Sequence, residues 1–265
     1  MHDSETATPD ALSRKDVPQI AAALLGCLRT RSPRVHCITN AVAQNFTANV
    51  LLAAGAVPSM TLSVEEIGSF VAGANALLVN LGTFDHERRE ATEIAVETAA
   101  QENLPWVLDP VFIDRTPPRA AFARALIARA PKAIRLNTAE FFALSGSEPT
   151  RGTLAGYARD TKTVVGLSGA TDWVSDGERF AAIANGHALM AKVTAMGCAA
   201  SALVAACLGV EKDAWQATAA ALTMIGVAGE LAAVKADGPG SFAVAIVDTL
   251  YNLDGQTLIA RAKVS

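Results

Sequence analysis

The chain has 265 residues, of which 51% are hydrophobic and 18% charged, and its formal net charge at pH 7 is -4. This composition excludes an intrinsically disordered chain, because disorder requires low hydrophobicity together with a high net charge. The mild acidity argues against nucleic acid or an anionic membrane surface as the main partner, since both attract clusters of basic residues.

Residues 1–15 are polar and mixed in charge, and we expect a flexible tail ahead of a single domain at residues 16–265. The tail has no apolar segment typical of a secretory signal. The cysteines at positions 27, 37, 198 and 207 form no CxxC pair and no metal-like cluster. The sequence therefore predicts a protein of the reducing cytoplasm without a disulfide framework.

Alternating amphipathic and apolar segments predict an α/β fold. A first helix is expected near Pro18, with Ile20, Leu24 and Leu28 on one face. Further helices are predicted at residues 41–54, 85–102 and 117–129. Short apolar runs predict strands at residues 35–39, 57–60, 76–81, 106–108, 133–136 and 164–167. Strands that alternate with helices favour a parallel sheet covered by helices on both faces.

The last third of the chain departs from this alternation. Asp176-Gly177 separates two β-like runs within residues 172–184, which is typical of a hairpin at a sheet edge. From Ala195 to the end, the pattern predicts only helices. Its most apolar stretch, residues 195–210, is shorter than the ~20 residues that cross a bilayer, so we expect a buried core helix.

Small polar residues follow five of the predicted strands: Asn40, Asn80, Asp109, Asn137 and Ser168. Each one alone is typical of an ordinary turn. Ligands of open parallel sheets bind at the carboxyl ends of the strands, so five such residues together indicate a binding site there. The sequence contains neither GxGxxG nor GxxxxGK[ST], which excludes the common dinucleotide and Walker phosphate loops.

Two helix starts carry candidate chemistry. At residues 194–199, the unpaired N–H groups and the dipole of a helix start would bind and stabilise a phosphate group during its transfer. Cys198 falls in this first turn, where a lowered thiol pKa is expected, although a buried structural cysteine is the alternative. Asn137 and Glu140 form either a helix cap alone or, with Asp109 as second carboxylate, a site for hydrated Mg²⁺.

The order of these motifs resembles the hydroxyethylthiazole kinases. The likeness opens with VHCITNAVAQNFTANVLLAAGAVPSM at residues 35–60 and is collinear across nearly the whole chain after the tail. It continues through NLGT (80–83), LDPV (108–111), IRLNTAE (134–140), VVGLSG (164–169), DGER (176–179), NGH (185–187) and KVTAMGC (192–198). The resemblance implies a ribokinase-like three-layer α/β fold with a largely parallel sheet and helices on both faces.

The resemblance also implies an activity. Members of the family transfer the γ-phosphate of ATP, with Mg²⁺, to the primary alcohol of 4-methyl-5-(2-hydroxyethyl)thiazole in thiamine salvage. The implied sites are Cys198 and Gly197 for catalysis, Asn40, Met60 and Ala195 for the acceptor, Arg135, Ser168 and Asn137 for ATP, and Asp109 and Glu140 for Mg²⁺. A homotrimer with active sites between subunits is implied as well.

Three segments depart from the family pattern. The family's GTGC reads Ala195-Met196-Gly197-Cys198 here, and its glycine-containing loop after LDPV reads FIDR at residues 112–115. The stretch between Gly146 and Thr163 is also shorter by roughly a dozen residues, about one average helix. Two alternatives stay open: a kinase of another small heteroaromatic or pyrimidine alcohol, and a non-catalytic trimer that binds a nucleotide or metabolite.

Overall fold

The computed structural model describes residues 16–265, and the tail predicted for residues 1–15 lies outside them. Eight strands form one sheet in the order β2-β1-β3-β4-β5-β6-β7-β8. They are β1 (Arg34–Ile38), β2 (Val57–Ser59), β3 (Ala76–Asn80), β4 (Trp106–Asp109), β5 (Ala133–Asn137), β6 (Val164–Ser168), β7 (Asp172–Ser175) and β8 (Phe180–Ile183). Strands β1 to β6 pair in parallel, whereas β7 and β8 are antiparallel.

Helices cover both faces of this sheet. They are α1 (Val17–Arg31), α2 (Gln44–Ala54), α3 (Ile67–Ala72), α4 (His86–Gln101), α5 (Pro117–Ile127), α6 (Thr138–Ser145), α7 (Arg151–Thr161), α8 (Met196–Leu208), α9 (Ala214–Ala233), α10 (Pro239–Asn252) and α11 (Gly255–Arg261), with a short 3-10 helix at Ala188–Lys192. The first hydrophobic core lies under α1, α2 and α8 to α11, and the second under α3 to α7. This is the predicted three-layer α/β fold.

Helix α8 explains part of the chain's alanine content. Every residue of α8 except Gly197 is buried, because the helix contacts α2, α9 and strands β3 and β4 at once. Small side chains let these backbones approach closely, and the core helix expected at residues 195–210 is confirmed. The neighbouring α9 is long and apolar enough to cross a membrane, but 78% of its apolar window is buried inside the fold.

One predicted boundary needs correction, and two helices were missed. The helix expected at residues 41–54 begins at Gln44, because the Ala43 N–H donates to the Asn40 carbonyl at 3.0 Å and closes a turn first. Helices α3 and α7 were not predicted. Helix α7 starts with a reciprocal Thr150–Thr153 cap, which carries no acidic or proline signal. It lies in the stretch between Gly146 and Thr163, which we expected to be shorter than in the family.

The end of the chain also differs from expectation. Helices alone were predicted after Ala195, yet Val264 forms a bridge with Ile183 of β8. Ser265 and Ala182 exchange both backbone hydrogen bonds, at 2.8 and 2.9 Å. The β7–β8 hairpin itself is confirmed, and the C-terminal residues cover its outer edge, which would otherwise leave backbone groups unpaired.

Candidate active site

The polar strand ends meet at one edge of the sheet, as predicted. Asn80 at the end of β3 lies in register with Asp109 at the end of β4, and Asn137 of β5 lies in register with Ser168 of β6. Parallel strands share a direction, so their carboxyl ends and the loops that follow lie side by side. The first turn of α8 reaches the same edge.

A buried polar network joins four elements at this edge. Asn40 Nδ2 donates to Asn80 Oδ1 at 3.3 Å and to Cys198 Sγ at 3.2 Å. Asn80 Nδ2 donates to Asp109 Oδ2 at 2.7 Å, and Ser201 Oγ of α8 donates to the same oxygen at 2.8 Å. The loop after β1, strands β3 and β4 and helix α8 are thus connected through side chains alone.

The two candidate metal carboxylates are both buried. Burial raises the pKa of Asp109, and the Arg135 charge and the donors Ser201 and Asn80 oppose the rise. Burial and the charge of Asp109 raise the pKa of Glu140 to about 7. Asp109 and Glu140 therefore share a region that holds negative charge with difficulty.

Glu140 completes a cap as well. Its Oε2 accepts from the Asn137 N–H at 2.9 Å, while Asn137 Oδ1 accepts from the Glu140 N–H at 2.9 Å. Its Oε1 accepts from the Phe112 N–H at 3.0 Å. The capping interpretation is confirmed, and the same carboxylate also holds the loop that follows β4.

The donor set fits Mg²⁺ as a hard cation. No group of three His, Cys, Asp or Glu side chains in residues 16–265 could hold a metal by itself. Mg²⁺ needs only one or two carboxylates and keeps waters and phosphates as its other ligands. Asp109 Oδ1 accepts no hydrogen bond from the described residues, and a cation here would relieve the repulsion between Asp109 and Glu140.

The thiol of Cys198 contradicts its predicted electrostatics. A lowered pKa was expected at the helix start, but burial and the charge of Asp109 raise the pKa of Cys198 to about 11. The side chain is 8% exposed, so it loses most of its hydration, and this loss outweighs the helix dipole and the donation from Asn40. The thiol is protonated at neutral pH.

Two residues that depart from the family pattern have left-handed backbones. Ala195 is the N-cap of α8 and has φ 70° and ψ 3°. Phe112 has φ 60°, and its side chain is 54% exposed. Positive φ is costly for residues with a Cβ and easy for glycine. Both loops therefore keep a glycine-like backbone although the glycines are absent.

A cavity of about 590 Å³ opens beside this network. Arg135, Ser168 and Gly197 line it, and a Cβ added to Gly197 would lie 2.9 Å from Arg135 Nη1. Arg135 Nε and Ser168 Oγ are buried without a hydrogen-bond partner among the described residues. Two unsatisfied buried donors on residues that line one cavity indicate a site for an anionic ligand.

Other residues of the cavity were not predicted from the sequence. Asp172, His187 and Met190 line it, and Asp172 Oδ1 accepts from the Gly169 N–H at 2.9 Å. An Asp three residues after a strand-end glycine is a turn signal that could have identified Asp172. His187 and Met190 follow β8 and are brought to the site only by the hairpin.

Met60 is the predicted site residue that lies farthest from this cavity along the sheet. It follows β2, the outermost strand, and is half-buried against the first hydrophobic core. Like Asn40, it does not line the cavity. Of the predicted acceptor residues, Asn40 and Met60 thus lie across the Asn80–Asp109 pair from the predicted ATP residues, whereas Ala195 adjoins the cavity-lining Met196.

Known proteins resemble the chain over most of its length. The profile of the hydroxyethylthiazole kinase family matches residues 25–256. A probable hydroxyethylthiazole kinase of Agrobacterium fabrum is 44% identical over 244 residues, which cover 92% of this chain and 94% of the relative. The hydroxyethylthiazole kinase of Granulibacter bethesdensis is 42% identical over 264 residues, which cover 95% and 96%.

Solved structures give the same picture. The hydroxyethylthiazole kinase protein of Pyrococcus horikoshii OT3 has a TM-score of 0.90 and 37% identity, covering 93% of this chain and 98% of that chain. The pyridoxal kinase of Staphylococcus aureus in complex with pyridoxal has a TM-score of 0.59 and 16% identity, covering 75% and 88%. The second similarity is one of fold.

Proposed function

The chain belongs to the hydroxyethylthiazole kinase family, and we propose that its strand-end side chains perform the Mg²⁺-dependent transfer of the γ-phosphate of ATP. It is a phosphotransferase that acts on the primary alcohol of 4-methyl-5-(2-hydroxyethyl)thiazole in thiamine salvage. The observation that carries the assignment of roles is the buried Asn40–Asn80–Asp109 network between two groups of candidate ligands.

The nucleotide occupies the cavity next to α8 in this proposal. Arg135 Nε and Ser168 Oγ supply donors that no described protein group uses, which suits phosphate oxygens. Gly197 lets the backbone of the first α8 turn approach Arg135, and the helix start adds a partial positive charge. Asn137 is the remaining ATP residue, at the end of β5.

Mg²⁺ would be held by Asp109 and Glu140, and when bound it would neutralise charge on the transferred phosphate. Asp109 is fixed through one carboxylate oxygen, and Glu140 is fixed through both of its oxygens to backbone N–H groups. These hydrogen bonds keep the two carboxylates in place, and a bound cation would favour the ionised form of Glu140, whose pKa burial and the Asp109 charge raise to about 7.

Asn40, Met60 and Ala195 contact the acceptor in this proposal, with Cys198 beside its hydroxyl. Phosphoryl transfer passes through a loose transition state, so positioning matters more than early removal of the proton. A thiol with a pKa of about 11 is already protonated at neutral pH, so in this proposal Cys198 hydrogen-bonds the hydroxyl and the alcohol proton leaves late to an oxygen of the transferred phosphate. The backbone of residues 195–197 then lies between hydroxyl and phosphate.

The assembly and location belong to the same proposal. We assign a homotrimer with active sites between subunits, supported by apolar side chains that are exposed near the acceptor side: Val42, Leu52, Val57, Val64 and Phe70. The four free cysteines support a reducing cytoplasm. Sedimentation of the purified protein tests the trimer directly.

A steady-state assay tests the chemistry. Purified protein is given ATP with and without Mg²⁺ and a panel of alcohols: hydroxyethylthiazole, a hydroxymethylpyrimidine and pyridoxal. We expect ADP release with hydroxyethylthiazole, dependent on Mg²⁺, and a phosphorylated product by mass spectrometry. Preference for another alcohol would favour a changed acceptor, which the left-handed Phe112 and Ala195 loops make the second candidate. ADP release that no alcohol stimulates would overturn the proposal.

A further inference from the structure

We propose that Asn80 is a positioning residue that orients the acceptor-side Asn40 and the metal-side Asp109 at the same time. The inference rests on the proposed function, which places these two residues on opposite sides of the reaction. Asn80 itself is 1% exposed and contacts neither the cavity nor solvent. It therefore acts through its neighbours.

A backbone donor fixes which way the Asn80 amide points. The Gly82 N–H lies 3.0 Å from one amide atom of Asn80, and since an N–H can only donate, that atom is the oxygen Oδ1. The nitrogen Nδ2 must then face Asp109 Oδ2, at 2.7 Å. This assignment does not depend on the charge of Asp109.

The orientation passes on to Asn40. The Asn40 atom that lies 3.3 Å from Asn80 Oδ1 must be a donor, which makes it Nδ2. Asn40 Oδ1 is consequently on the other side of the amide, buried and without a hydrogen-bond partner among the described residues. An unpaired buried acceptor is costly unless a ligand donor satisfies it. The hydroxyl of an alcohol acceptor is such a donor.

Crowding around Gly82 holds the relay, the Asn40–Asn80–Asp109 chain of hydrogen bonds, in its arrangement. A Cβ added at Gly82 would lie 2.7 Å from Asn40 Nδ2 and 2.9 Å from Asn80 Oδ1, so any larger residue would push the two amides apart. Ser201 connects only to the Asp109 end of the relay: its Oγ donates to Asp109 Oδ2 at 2.8 Å, and it does not contact Asn40. Gly82 thus touches the Asn40–Asn80 contact, whereas Ser201 touches only the Asp109 end.

Three variants separate the branches. Gly82→Ala places a methyl group against the Asn40–Asn80 contact and keeps the Asn80 Nδ2 that donates to Asp109, Ser201→Ala removes only a donor to Asp109, and Asn80→Ala removes the hydrogen bonds to both. We expect G82A to raise the KM of the alcohol about tenfold, equal to about 1.4 kcal/mol, with the KM of ATP within about twofold. S201A should raise the KM of ATP with little change in the KM of the alcohol, and N80A should raise both KM values.

A double-mutant cycle measures the relay itself. If Asn80 acts on the alcohol through Asn40, the N80A effect on the alcohol KM should fall to within about twofold in an Asn40→Ala background. Thermal unfolding of every variant identifies those that are folded. Should N80A not fold, G82A and S201A still decide the proposal, because G82A perturbs the Asn40–Asn80 contact and S201A perturbs only Asp109.

Two results would overturn the relay: an alcohol KM unchanged in G82A, or an N80A pattern that matches S201A. Failure of the proposed function looks different, because it appears in the wild-type protein as absent turnover of hydroxyethylthiazole. In that case, calorimetric Kd values for the alcohol and for ATP in the same variants give the branch pattern without any chemistry.

Discussion

Ala195 lies in the left-handed region at the N-cap of α8, where the family has glycine. A Cβ there costs about 1–2 kcal/mol of backbone strain. We expect Ala195→Gly to raise the free energy of unfolding by about 1 kcal/mol, since the relief of strain exceeds the added freedom of the unfolded chain. Turnover of hydroxyethylthiazole should rise or stay unchanged. Chemical denaturation and kcat/KM measure the two effects.

Ala130 provides the matched control for this change. It has φ 55° on an exposed connection between α5 and β5, so Ala130→Gly relieves similar strain away from the site and should leave kcat/KM unchanged. A tenfold drop in kcat/KM for A195G, about 1.4 kcal/mol, would contradict the strained-loop interpretation. The Ala195 Cβ would then be a wall of the acceptor pocket, adapted to a different alcohol.

Cys198 and Cys207 lie in the same helix and are both buried, but only Cys198 touches the polar network. Cys198→Ala should lower kcat by about tenfold, because the protonated thiol, with a pKa of about 11, contributes one hydrogen bond to the hydroxyl and takes up no proton. The Kd of ATP should not change. Cys207→Ala should lower stability alone. An equal loss of ATP binding in C198A would mark Cys198 as a packing residue.

At this scale, the sequence placed the candidate residues at one edge of the sheet but gave the wrong direction for the pKa of Cys198. Asn40, Asp109 and Ser201 come from distant parts of the chain, and Asn40 and Cys198 are 158 positions apart. The thiol pKa depends on this long-range burial and on the Asp109 charge, so a local helix-start argument could not give its direction. The left-handed backbone at Ala195 was predictable, because it follows from a glycine in the family pattern.

At the scale of elements, Glu140 of α6 is both part of the helix cap and a candidate Mg²⁺ ligand. Glutamine has a single carbonyl oxygen, so Glu140→Gln must turn its NH₂ toward either the Asn137 or the Phe112 N–H and lose one hydrogen bond. We expect a loss of about 1 kcal/mol in stability and a rise of about tenfold in the Mg²⁺ concentration for half-maximal activity. Mg²⁺ titration of the initial rate and denaturation give both numbers.

Helix α7 supplies the control for α6. Thr153 Oγ1 accepts from the Thr150 N–H at 2.8 Å in a cap of the same kind, but no candidate metal ligand is involved. Thr153→Ala should therefore lower stability and leave the Mg²⁺ titration unchanged. If E140Q also left the Mg²⁺ titration unchanged, Glu140 would not be a Mg²⁺ ligand, and its role would be to cap α6.

Elements with local signals were predicted within a few residues. The Asp85 cap marks α4, and Asp176-Gly177 marks the hairpin. Helix α3, which was missed, has six residues and no side-chain cap. A segment this short does not show the helical repeat of hydrophobic residues. The pairing of Val264 with Ile183 was also missed, because it depends on the position at which α11 ends beside β8 and not on any local sequence pattern.

Across the whole molecule, the edge strand β2 depends on a buried histidine. His36 of β1 is fully buried, its Nδ1 lies 2.8 Å from Ser59 Oγ, and its Nε2 lies 3.2 Å from the Thr61 carbonyl. Nε2 must donate to a carbonyl, so Nδ1 accepts from Ser59 in the neutral ring. Burial lowers the pKa of His36 to about 4. The contact holds residues 59–61, which include Met60, against β1.

This shift makes the stability of the fold depend on pH. Between pH 6.5 and 4 the unfolded chain binds a proton at His36 that the folded chain does not, so stability is fully present above pH 6.5 and falls as the pH approaches 4. The shift corresponds to about 3 kcal/mol at most. Glu140 acts in the opposite sense, because its raised pKa lowers stability as the pH rises from 4.5 to about 7.

Comparison with a variant isolates the histidine from the other groups. His36→Gln keeps a donor and an acceptor but cannot take a proton, so the difference in free energy of unfolding between wild type and H36Q should shrink by about 3 kcal/mol between pH 6.5 and 4. His86→Gln is the control, since the His86 side chain is 91% exposed. Denaturant unfolding at half-unit pH steps measures the difference. A difference between wild type and H36Q that stays constant with pH would mean that His36 takes its proton as easily in the folded chain as in the unfolded one.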